Sequence, residues 1–380
     1  MNVESPTEDQ RFMIESFRQF LASEVEPIVR GYRDRPISKE RLLDITQAIA
    51  EFGLPGASVT KALGGLGLSL ATEAMLFEEL SVISLDIAWC VITNRAAAMV
   101  LAELPSTQAY LRDRYLADLL AGRVFAAFCL GDADSASALL TIEQDGDSVV
   151  LSGEASGGAN GHFADFLIVA ADSAKDARVH VIVDRKDHGY LSRKLDRGAL
   201  SGPPAAQITF TGARVLAVNC IWAGEAGMRS ARRLLAKMHA DIGLLAVGLM
   251  RAALDASIAH VRQLRPGGRL LPGHSQMAAR LAEMATAIDA ARLMCFQAIS
   301  LMDANRPSAM AVSMAKWLAC DLAVKACHDA AQLHGGEGAG RGSEIERLAR
   351  EAMALSISAG TTDCHKQWIA DAVLMTDVQA

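Results

Sequence analysis

Residues 332–338 read Gln-Leu-His-Gly-Gly-Glu-Gly, and they end an Ala-rich segment, Ala309 to Leu333, whose apolar residues recur with a helical period. Adjacent glycines stop a helix and let backbone N–H groups approach a bound group closely. From these residues alone, a helix C-cap with a flexible turn and a ligand-binding turn both stay open. The glycine spacing matches neither the GxGxxG nor the Walker pattern, which excludes a Rossmann fold and a P-loop.

The segments before this turn are also long and helical. The same period runs through Met228 to Leu264 and through Ser275 to Asn305, and Pro266-Gly267-Gly268 separates the two. Three or four helices of this length, rich in Ala and Leu, predict a C-terminal four-helix bundle and a helical surface for oligomerisation.

A strand-rich region precedes these helices. Short apolar runs punctuated by Gly, Asp and Asn indicate strands, and Asp145-Gly146-Asp147 predicts a hairpin turn between two of them. The runs are Val124 to Leu130, Ser148 to Leu151, Phe166 to Ala171, Val179 to Val183 and Gln207 to Val215. This texture predicts a central antiparallel β domain.

The first part of the chain is predicted to be helical. Thr7, followed three residues later by Gln10, is typical of a capping box, and helical periods follow over Leu42 to Phe52, Ala71 to Val82 and Gln108 to Leu120. The predicted fold class is therefore α+β and multidomain. Its predicted parts are an N-terminal helical domain (1–120), a central β domain (121–224) and a C-terminal helical bundle (225–380).

Composition narrows the classes of partner. The 380 residues are 51% hydrophobic and 21% charged, as in globular proteins, and the net charge of -7 provides no broad cationic face for nucleic acid. The first residues lack the pattern of a secretion signal, and we find no uninterrupted apolar run of about 18 residues, so we expect a cytoplasmic protein without membrane insertion. Seven scattered cysteines without a CxxC pair predict reduced thiols, and no metal site is proposed.

Several segments resemble the acyl-CoA dehydrogenase family along nearly the whole chain. The strongest match is Gln332 to Gly338, followed by Glu346 to Ala352 and by Ala359-Gly360-Thr361-Thr362. Further matches are Glu8 to Arg11, Gly64 to Ser69 and Asp145 to Gly153. The resemblance implies two helical domains around a β domain, with FAD extended between the β domain and the C-terminal bundles of neighbouring subunits. It also implies a homodimer or a homotetramer.

The resemblance further implies α,β-dehydrogenation of an acyl thioester, carried by CoA or by an acyl carrier protein. In the family, a glutamate removes the α-proton while flavin N5 accepts the β-hydride. Removal of such a weakly acidic proton needs an aligned base and hydrogen bonds to the thioester carbonyl. An electron-transfer flavoprotein or a paralogous subunit is the expected protein partner.

The chain departs from the family at the base. The family's Glu-Gly-Thr motif reads Ala359-Gly360-Thr361 here, and Ala359 cannot accept a proton. The alternative base position of some members falls on Met238. Asp241 is the nearest acid, one turn further along, and it is the candidate base.

The neighbours of this position leave other roles open. An ion pair of Asp241 with Arg233 or Lys237 is the structural alternative to a catalytic role. His239 is either a base near neutral pH or an exposed bundle residue.

The predicted cofactor is FAD, and its site is altered. Gly131 replaces part of the family's Thr-Glu-Pro segment, and Gly157-Gly158-Ala159 replaces its Trp-Ile-Thr motif. Losing the aromatic stack and the hydroxyl would weaken flavin binding by about 2 to 4 kcal/mol. The segments implied to bind the adenine and diphosphate are better matched, and their residues are Arg265, Gly268, Gln332, Gly335, Gly336 and Thr361.

Three functions follow as hypotheses. The first is an FAD-dependent acyl-thioester oxidoreductase with a relocated base or none. The second is an acyl-thioester enzyme that has lost the redox step, and the third is a degenerate subunit that completes the FAD site of a partner. Arg347 and Arg350 have the spacing of ion-pair partners for Glu344, Glu346 or Glu351, rather than of ligands for coenzyme A phosphates.

Overall fold

A computed structural model describes residues 6–32, 36–130, 140–174, 177–196, 198–200, 202–263, 275–340 and 342–376. Its helices are α1 (Glu8–Phe20), α2 (Glu26–Gly31), α3 (Lys39–Ala50), α4 (Leu70–Ile83), α5 (Leu85–Ala102), α6 (Ala109–Leu120), α7 (Arg185–His188), α8 (Gly224–Gln263), α9 (Ser275–Asp303), α10 (Ala309–His334), α11 (Glu344–Ile357) and α12 (Thr362–Thr376). Its strands are β1 (Ala126–Cys129), β2 (Leu140–Asp145), β3 (Ser148–Gly157), β4 (Phe166–Ser173), β5 (Ala177–Asp184), β6 (Leu191–Lys194), β7 (Ala206–Leu216) and β8 (Cys220–Ala223).

The predicted order of helices, strands and helices is confirmed. The capping box at the start of α1 is present: the Thr7 hydroxyl accepts the Gln10 N–H at 3.2 Å, and Gln10 Oε1 accepts the Thr7 N–H at 2.9 Å. The hairpin turn is also present, because β2 and β3 pair on either side of Gly146, whose φ is +60°. Helix α5 has no counterpart in the prediction. Its apolar residues lie on all sides, so the sequence lacks the one-sided stripe that predicts a helix.

The chain divides into two compact units, each with many contacts among its own residues. Unit 1 consists of Met1–Asp34, Leu70–Leu85 and Met238–Ala380, and unit 2 consists of Arg35–Ser69 and Asp86–Lys237. Within unit 1, α4 packs against α1 and α9. The units are therefore not contiguous in sequence. The domain limits at residues 120 and 224 stay predictions.

Unit 2 contains a single sheet with the strand order β6-β7-β3-β2-β4-β5-β8, and β1 pairs with β4. The sheet is mixed rather than purely antiparallel, since both β1 and β2 run parallel to β4. A parallel pair needs a crossover connection of a dozen or more residues. The β2–β3 hairpin lies within the connection from β1 to β4. The sheet core consists of alternating apolar side chains such as Leu151, Val169, Val181 and Ile208.

Unit 1 contains a network of buried ion pairs between four helices. On α4, Glu78 accepts hydrogen bonds from Arg251 of α8 at 2.7 Å and from Arg292 of α9 at 2.8 Å. Glu79 pairs with Arg251 at 2.9 Å and with Arg18 of α1 at 2.9 Å. Burial alone raises the pKa of Glu79, but the hydrogen bonds from Arg18 and Arg251 outweigh it and the pKa is lowered. Both carboxylates are therefore compensated by several cationic donors.

A close approach of α8 to α4 occurs at Gly248. A Cβ at this position would lie 1.7 Å from Ser81 Oγ and 2.7 Å from the backbone oxygen of Glu78. Ser81 Oγ donates to the Leu245 carbonyl across the same contact at 3.4 Å. The two helices can lie at this distance only because residue 248 has no side chain.

Three helices among the described residues are long and apolar enough to cross a membrane, by length and composition alone. In the most apolar 18-residue stretch of each helix, the share of residues buried inside the protein is 83% in α5, 67% in α8 and 39% in α9. Burial inside the protein accounts for the apolar character of α5 and most of α8, but not of α9. The absence of membrane insertion and the cytoplasmic location stay predictions.

Replacing Gly248 with Ala is expected to lower the free energy of unfolding by about 2 kcal/mol, because the Glu78 carbonyl cannot move away without shifting α4. Urea denaturation measures this change. Gly31→Ala is the matched control, since nothing lies within 4 Å of its added Cβ. It should leave stability unchanged or raise it by up to about 1 kcal/mol. Equal effects of the two substitutions would contradict the proposed packing.

Candidate functional site

The turn between α11 and α12, Ala359-Gly360-Thr361, contains the position that the resemblance makes the base. Both Ala359 (φ +50°) and Gly360 (φ +97°) have left-handed backbone conformations. This conformation is unfavourable for Ala359, which carries a Cβ, so neighbouring groups must hold it. The Thr361 hydroxyl accepts the Cys364 N–H at 3.3 Å and so caps the start of α12.

His239 of α8 contacts this turn directly. Its Nε2 lies 2.7 Å from the carbonyl oxygen of Ala359, and since that oxygen can only accept, Nε2 is the protonated nitrogen. The imidazole is 5% exposed. Burial, followed by the positive charge of Lys316, lowers its pKa to about 4, although the bond to Ala359 opposes the shift. His239 is therefore neutral at pH 7 and donates to the turn.

Lys316 of α10 is the second side chain that holds the turn. It is fully buried, and its Nζ donates to the Gly360 carbonyl at 2.5 Å and to the Ser356 carbonyl at 3.5 Å. These carbonyls lie at the C-terminal end of α11, where the helix dipole favours a cation. Burial nevertheless lowers the pKa of Lys316. The helix end thus provides a polar environment for a buried ammonium group.

Two aromatic side chains of α12 complete the cluster. The His239 ring meets His365 edge-on at 4.6 Å and lies against Trp368 at 5.8 Å, measured between ring centroids. His365 is fully buried, and neither of its ring nitrogens has a hydrogen-bond partner among the described residues. Burial, followed by the charges of His239 and Lys316, lowers the pKa of His365 to about 3. We call His239, Lys316, His365 and Trp368 the turn cluster.

The predicted base, Asp241, is 5% exposed on α8. His239, two residues earlier, contacts the Ala359 carbonyl and is 5% exposed, so of the two roles left open for it the exposed bundle position is excluded. Lys237 pairs with Glu103 at 3.4 Å, and Arg233 donates to Ser230 at 3.3 Å. A catalytic role for Asp241 stays a prediction.

The glycine turn at the end of α10 is open on one side. Gly335 (φ +59°) and Gly336 have no heavy atom within 4 Å of where a Cβ would be, and Gln332 is exposed nearby. Gly338, by contrast, packs against His334 and the Ala331 backbone. The His334 ring stacks on His260 of α8, with 4.1 Å between ring centroids. The turn is thus anchored at one end and free to receive a ligand at the other. Arg265 and Gly268 lie outside the described residues.

The segment 157–159, predicted to align with the family's Trp-Ile-Thr motif, lies at the end of β3 in unit 2. A Cβ on Gly157 would lie 3.3 Å from both Gly161 Cα and Ile208 Cγ1, and the Gly158 N–H donates to the Phe128 carbonyl at 3.2 Å. Ala159 is buried and carries no hydroxyl group. Asn160 holds the segment in place through hydrogen bonds to the Cys90 and Ala126 carbonyls.

The two segments therefore fit FAD unequally. The open glycine turn leaves room for a bound group to approach the backbone closely, whereas residues 157–159 provide neither an aromatic ring nor a hydroxyl for the isoalloxazine. Gly131 lies outside the described residues.

The predicted ion pairs on α11 are confirmed. Arg347 contacts Glu351 at 2.7 Å, and Arg350 contacts Glu346 at 2.5 Å. Both arginines have carboxylate partners one turn away.

The family follows from comparison with known proteins. Residues 7–123 match the family model "Acyl-CoA dehydrogenase, N-terminal domain", and residues 225–374 match "Acyl-CoA dehydrogenase, C-terminal domain". The chain belongs to the acyl-CoA dehydrogenase family. The resemblance drawn from the sequence is thereby confirmed.

Individual relatives extend over the full length. A probable acyl-CoA dehydrogenase of Bacillus subtilis, YngJ, is 27% identical, covering 97% of this chain and 98% of its own. A 3-(aryl)acrylate reductase of Clostridium sporogenes is 26% identical over 97% and 99% of the two chains. The butyryl-CoA dehydrogenase structure from Megasphaera elsdenii superposes with a TM-score of 0.90 at 23% identity, covering 98% of this chain and 100% of that one. That last likeness concerns the fold.

Sequence reasoning did not identify Lys316, His365 or Trp368 as parts of the site. Lys316 offered one signal, because helical spacing places this charge on the same face of α10 as the apolar Val312 and Cys320. His365 and Trp368 gave none, since their contact with His239 arises only when α12 packs against α8.

The turn cluster predicts that acid destabilises the protein. The folded-state pKa values of His239 (about 4) and His365 (about 3) lie below that of an unfolded histidine, about 6.5. As the pH falls, the unfolded state therefore binds protons before the folded state does. Each of the two histidines should lower the free energy of unfolding by about 2 kcal/mol between pH 6.5 and pH 4.5.

Urea denaturation across this pH range tests the linkage. His365→Leu should flatten the pH dependence and leave one fewer unpaired polar group in the core. The exposed His328, changed to Leu, is the control and should leave the slope as in the wild type. An unchanged slope in His365→Leu would contradict the assignment.

Proposed function

We propose that this chain is an FAD-dependent oxidoreductase that acts on an acyl thioester of CoA or of an acyl carrier protein, with a non-standard or absent catalytic base. Besides family membership, the supporting observation is the open glycine turn. Its free space at Gly335 and Gly336 lets backbone N–H groups approach a phosphate oxygen closely. A helix C-cap needs one such glycine, and the second has no structural requirement of this kind.

The residues that would hold FAD at this turn are Gln332, Gly335, Gly336 and Thr361, together with Arg265 and Gly268. The first three lie together at the end of α10, and the Thr361 hydroxyl oxygen already caps α12. When bound, FAD supplies the two-electron redox chemistry. The chain itself would bind and orient the thioester and exclude water from it.

The activities for which two relatives are named support the substrate class. They include cyclohex-1-ene-1-carbonyl-CoA dehydrogenase of Geobacter metallireducens and the CarC subunit of a caffeyl-CoA reductase-Etf complex from Acetobacterium woodii. Dehydrogenases and reductases of unsaturated acyl-CoA are thus both represented. We infer an acyl-CoA or related thioester as substrate and an electron-transfer flavoprotein as a possible redox partner.

The base is the least standard part of the proposal. The residue held in the turn is Ala359, which has no titratable group, and Met238 has none either. Asp241 remains the candidate for a relocated base, and its buried position on α8 would require the substrate to reach it. Catalysis without a protein base is the alternative within the same function.

The segment 157–159 favours a second candidate function. Because these residues offer no side chain to a flavin ring, an acyl-thioester enzyme without the redox step, or a subunit that completes a partner's FAD site, agrees with this region better. A thioester enzyme would be colourless and still turn over or bind thioesters. A degenerate subunit would purify together with a paralogue that carries the missing glutamate.

The visible spectrum of the purified chain tests the proposed function. We expect flavin bands in the protein as isolated or after incubation with FAD. Ala159→Ser should restore one hydrogen-bonding hydroxyl and tighten FAD binding by about fivefold, which corresponds to about 1 kcal/mol. Ala155→Ser is the control, because Ala155 is half-buried and lies on β3 four residues before Ala159. No flavin binding at any FAD concentration would refute the redox assignment.

We further propose that the chain forms a homodimer or homotetramer through its C-terminal helices. Only 39% of the most apolar 18-residue stretch of α9 is buried, and Leu293 of this helix is 55% exposed. Around Leu293, the exposed residues of α9 include Ala282 and Ala290, whose small side chains allow another helix to approach closely, together with the polar Thr286 and Asp289. A second copy of the chain would cover this face.

Light scattering coupled to size-exclusion chromatography measures the mass of the particle. The wild type should elute as a dimer or tetramer, and Leu293→Glu should shift it toward the monomer because a charge would be buried in the interface. Leu191→Glu, at a residue of β6 that is 70% exposed, is the matched control and should leave the mass unchanged. A monomeric wild type at micromolar concentration would contradict the proposal.

A further inference from the structure

The turn at residues 359–361 is held in place although its acid is missing. Ala359 has a left-handed φ of +50°, a conformation that residues with a Cβ rarely adopt. Such a conformation persists only where the surroundings impose it. The groups that impose it here are a neutral imidazole and a buried ammonium group, each bonded to one carbonyl of the turn.

The imidazole of His239 has a fixed orientation. Its Nε2–H is directed at the Ala359 carbonyl, and the ring is packed between His365 and Trp368. The side chain is nine-tenths buried or more, with 5% exposure. A donor so fixed determines where the backbone of residue 359 lies and therefore where its Cβ points.

His239 itself is poorly suited to remove an α-proton. Since Nε2 carries the proton, only Nδ1 could accept one, and burial keeps the basicity of the ring low although the bond to Ala359 opposes this effect. The same features suit a rigid hydrogen-bond donor, because a neutral ring adds no charge beside Lys316.

We propose that His239 is a positioning residue: it holds residue 359 in the conformation from which a side chain at that position can act on a bound acyl thioester. The chain has thus lost the acid and kept the arrangement that positions it. This inference rests on the proposed function, since the acyl thioester on which such a side chain would act is the substrate proposed above. Lys316 supports the same turn at the next carbonyl.

The test restores the acid and then removes the donor. Ala359→Glu should raise acyl-CoA-dependent reduction of an acceptor dye by FAD-loaded protein at least about 100-fold, as expected for a regained general base. Its pH profile should gain one ionisation. Adding His239→Phe to this variant keeps an aromatic ring and removes the N–H. The rate of dye reduction should then fall about 10- to 100-fold below that of Ala359→Glu alone, because the carboxylate is misplaced. Adding His239→Gln, whose amide can donate, should retain most of the gain.

Hydrogen exchange provides a measurement that needs neither FAD nor substrate. In the otherwise unchanged chain, His239→Phe should accelerate amide exchange in the peptide 356–365 by about fivefold, the equivalent of one lost hydrogen bond, and His239→Gln should not. Should the His239→Phe chain fail to fold, Lys316→Met removes the neighbouring donor and should give the same local result.

The two measurements separate the possible failures. Faster exchange with an inactive Ala359→Glu chain that binds FAD would support the hydrogen bond to the turn but overturn the claim that it positions residue 359 for the reaction, and absence of FAD binding would refute the proposed function separately. Unchanged exchange in His239→Phe would overturn the positioning role. An active Ala359→Glu chain that is insensitive to His239→Phe would also overturn it, whatever the exchange rates.

Discussion

The ion pairs buried between α4 and its neighbours are the constraint on which unit 1 depends. Glu78 and Glu79 are adjacent in sequence, so their side chains leave α4 about 100° apart. They nevertheless share Arg251, and Arg18 and Arg292 complete the set. A buried carboxylate without its partner costs several kcal/mol. This cost restricts which faces α1, α8 and α9 can turn toward α4, and Gly248 sets the distance between α4 and α8.

Helix α8 also contains His239, the side chain that donates a hydrogen bond to the candidate site. His239 lies about three turns before Arg251 on α8, so the orientation fixed by the ion pairs also fixes where the imidazole lies. From there it reaches the Ala359 carbonyl, and α10 and α12 contribute Lys316, His365 and Trp368. A polar cluster without a carboxylate is stable in this place because the imidazoles stay neutral and the ammonium group lies at a helix end.

Much of the fold was predictable from the sequence, and the places where the prediction failed have local physical causes. Helices α3, α4, α6, α8, α9 and α10 have one-sided apolar stripes or clear breakers, and the prediction placed each within a few residues of its limits. The helix α5 has apolar residues on every side and no such signal. The parallel pairing of β1 with β4 joins Ala126 to Phe166, and strand periodicity gives no information about partners 40 residues apart. At the site, the sequence shows alanine at residue 359 and no aromatic residue at 157–159, whereas it gives no sign of the donor to Ala359.

The sequence by itself determined the family, the order of helices and strands, and the absence of an acid at residue 359, because each of these follows from residue identity and short-range spacing. Only the tertiary structure decided what His239, Lys316 and His365 do. They lie on three helices, up to 126 positions apart, and their burial and mutual contacts arise when α8, α10 and α12 pack together. Hydrogen bonds and pKa values depend on such distances in space, which no local pattern of residues contains.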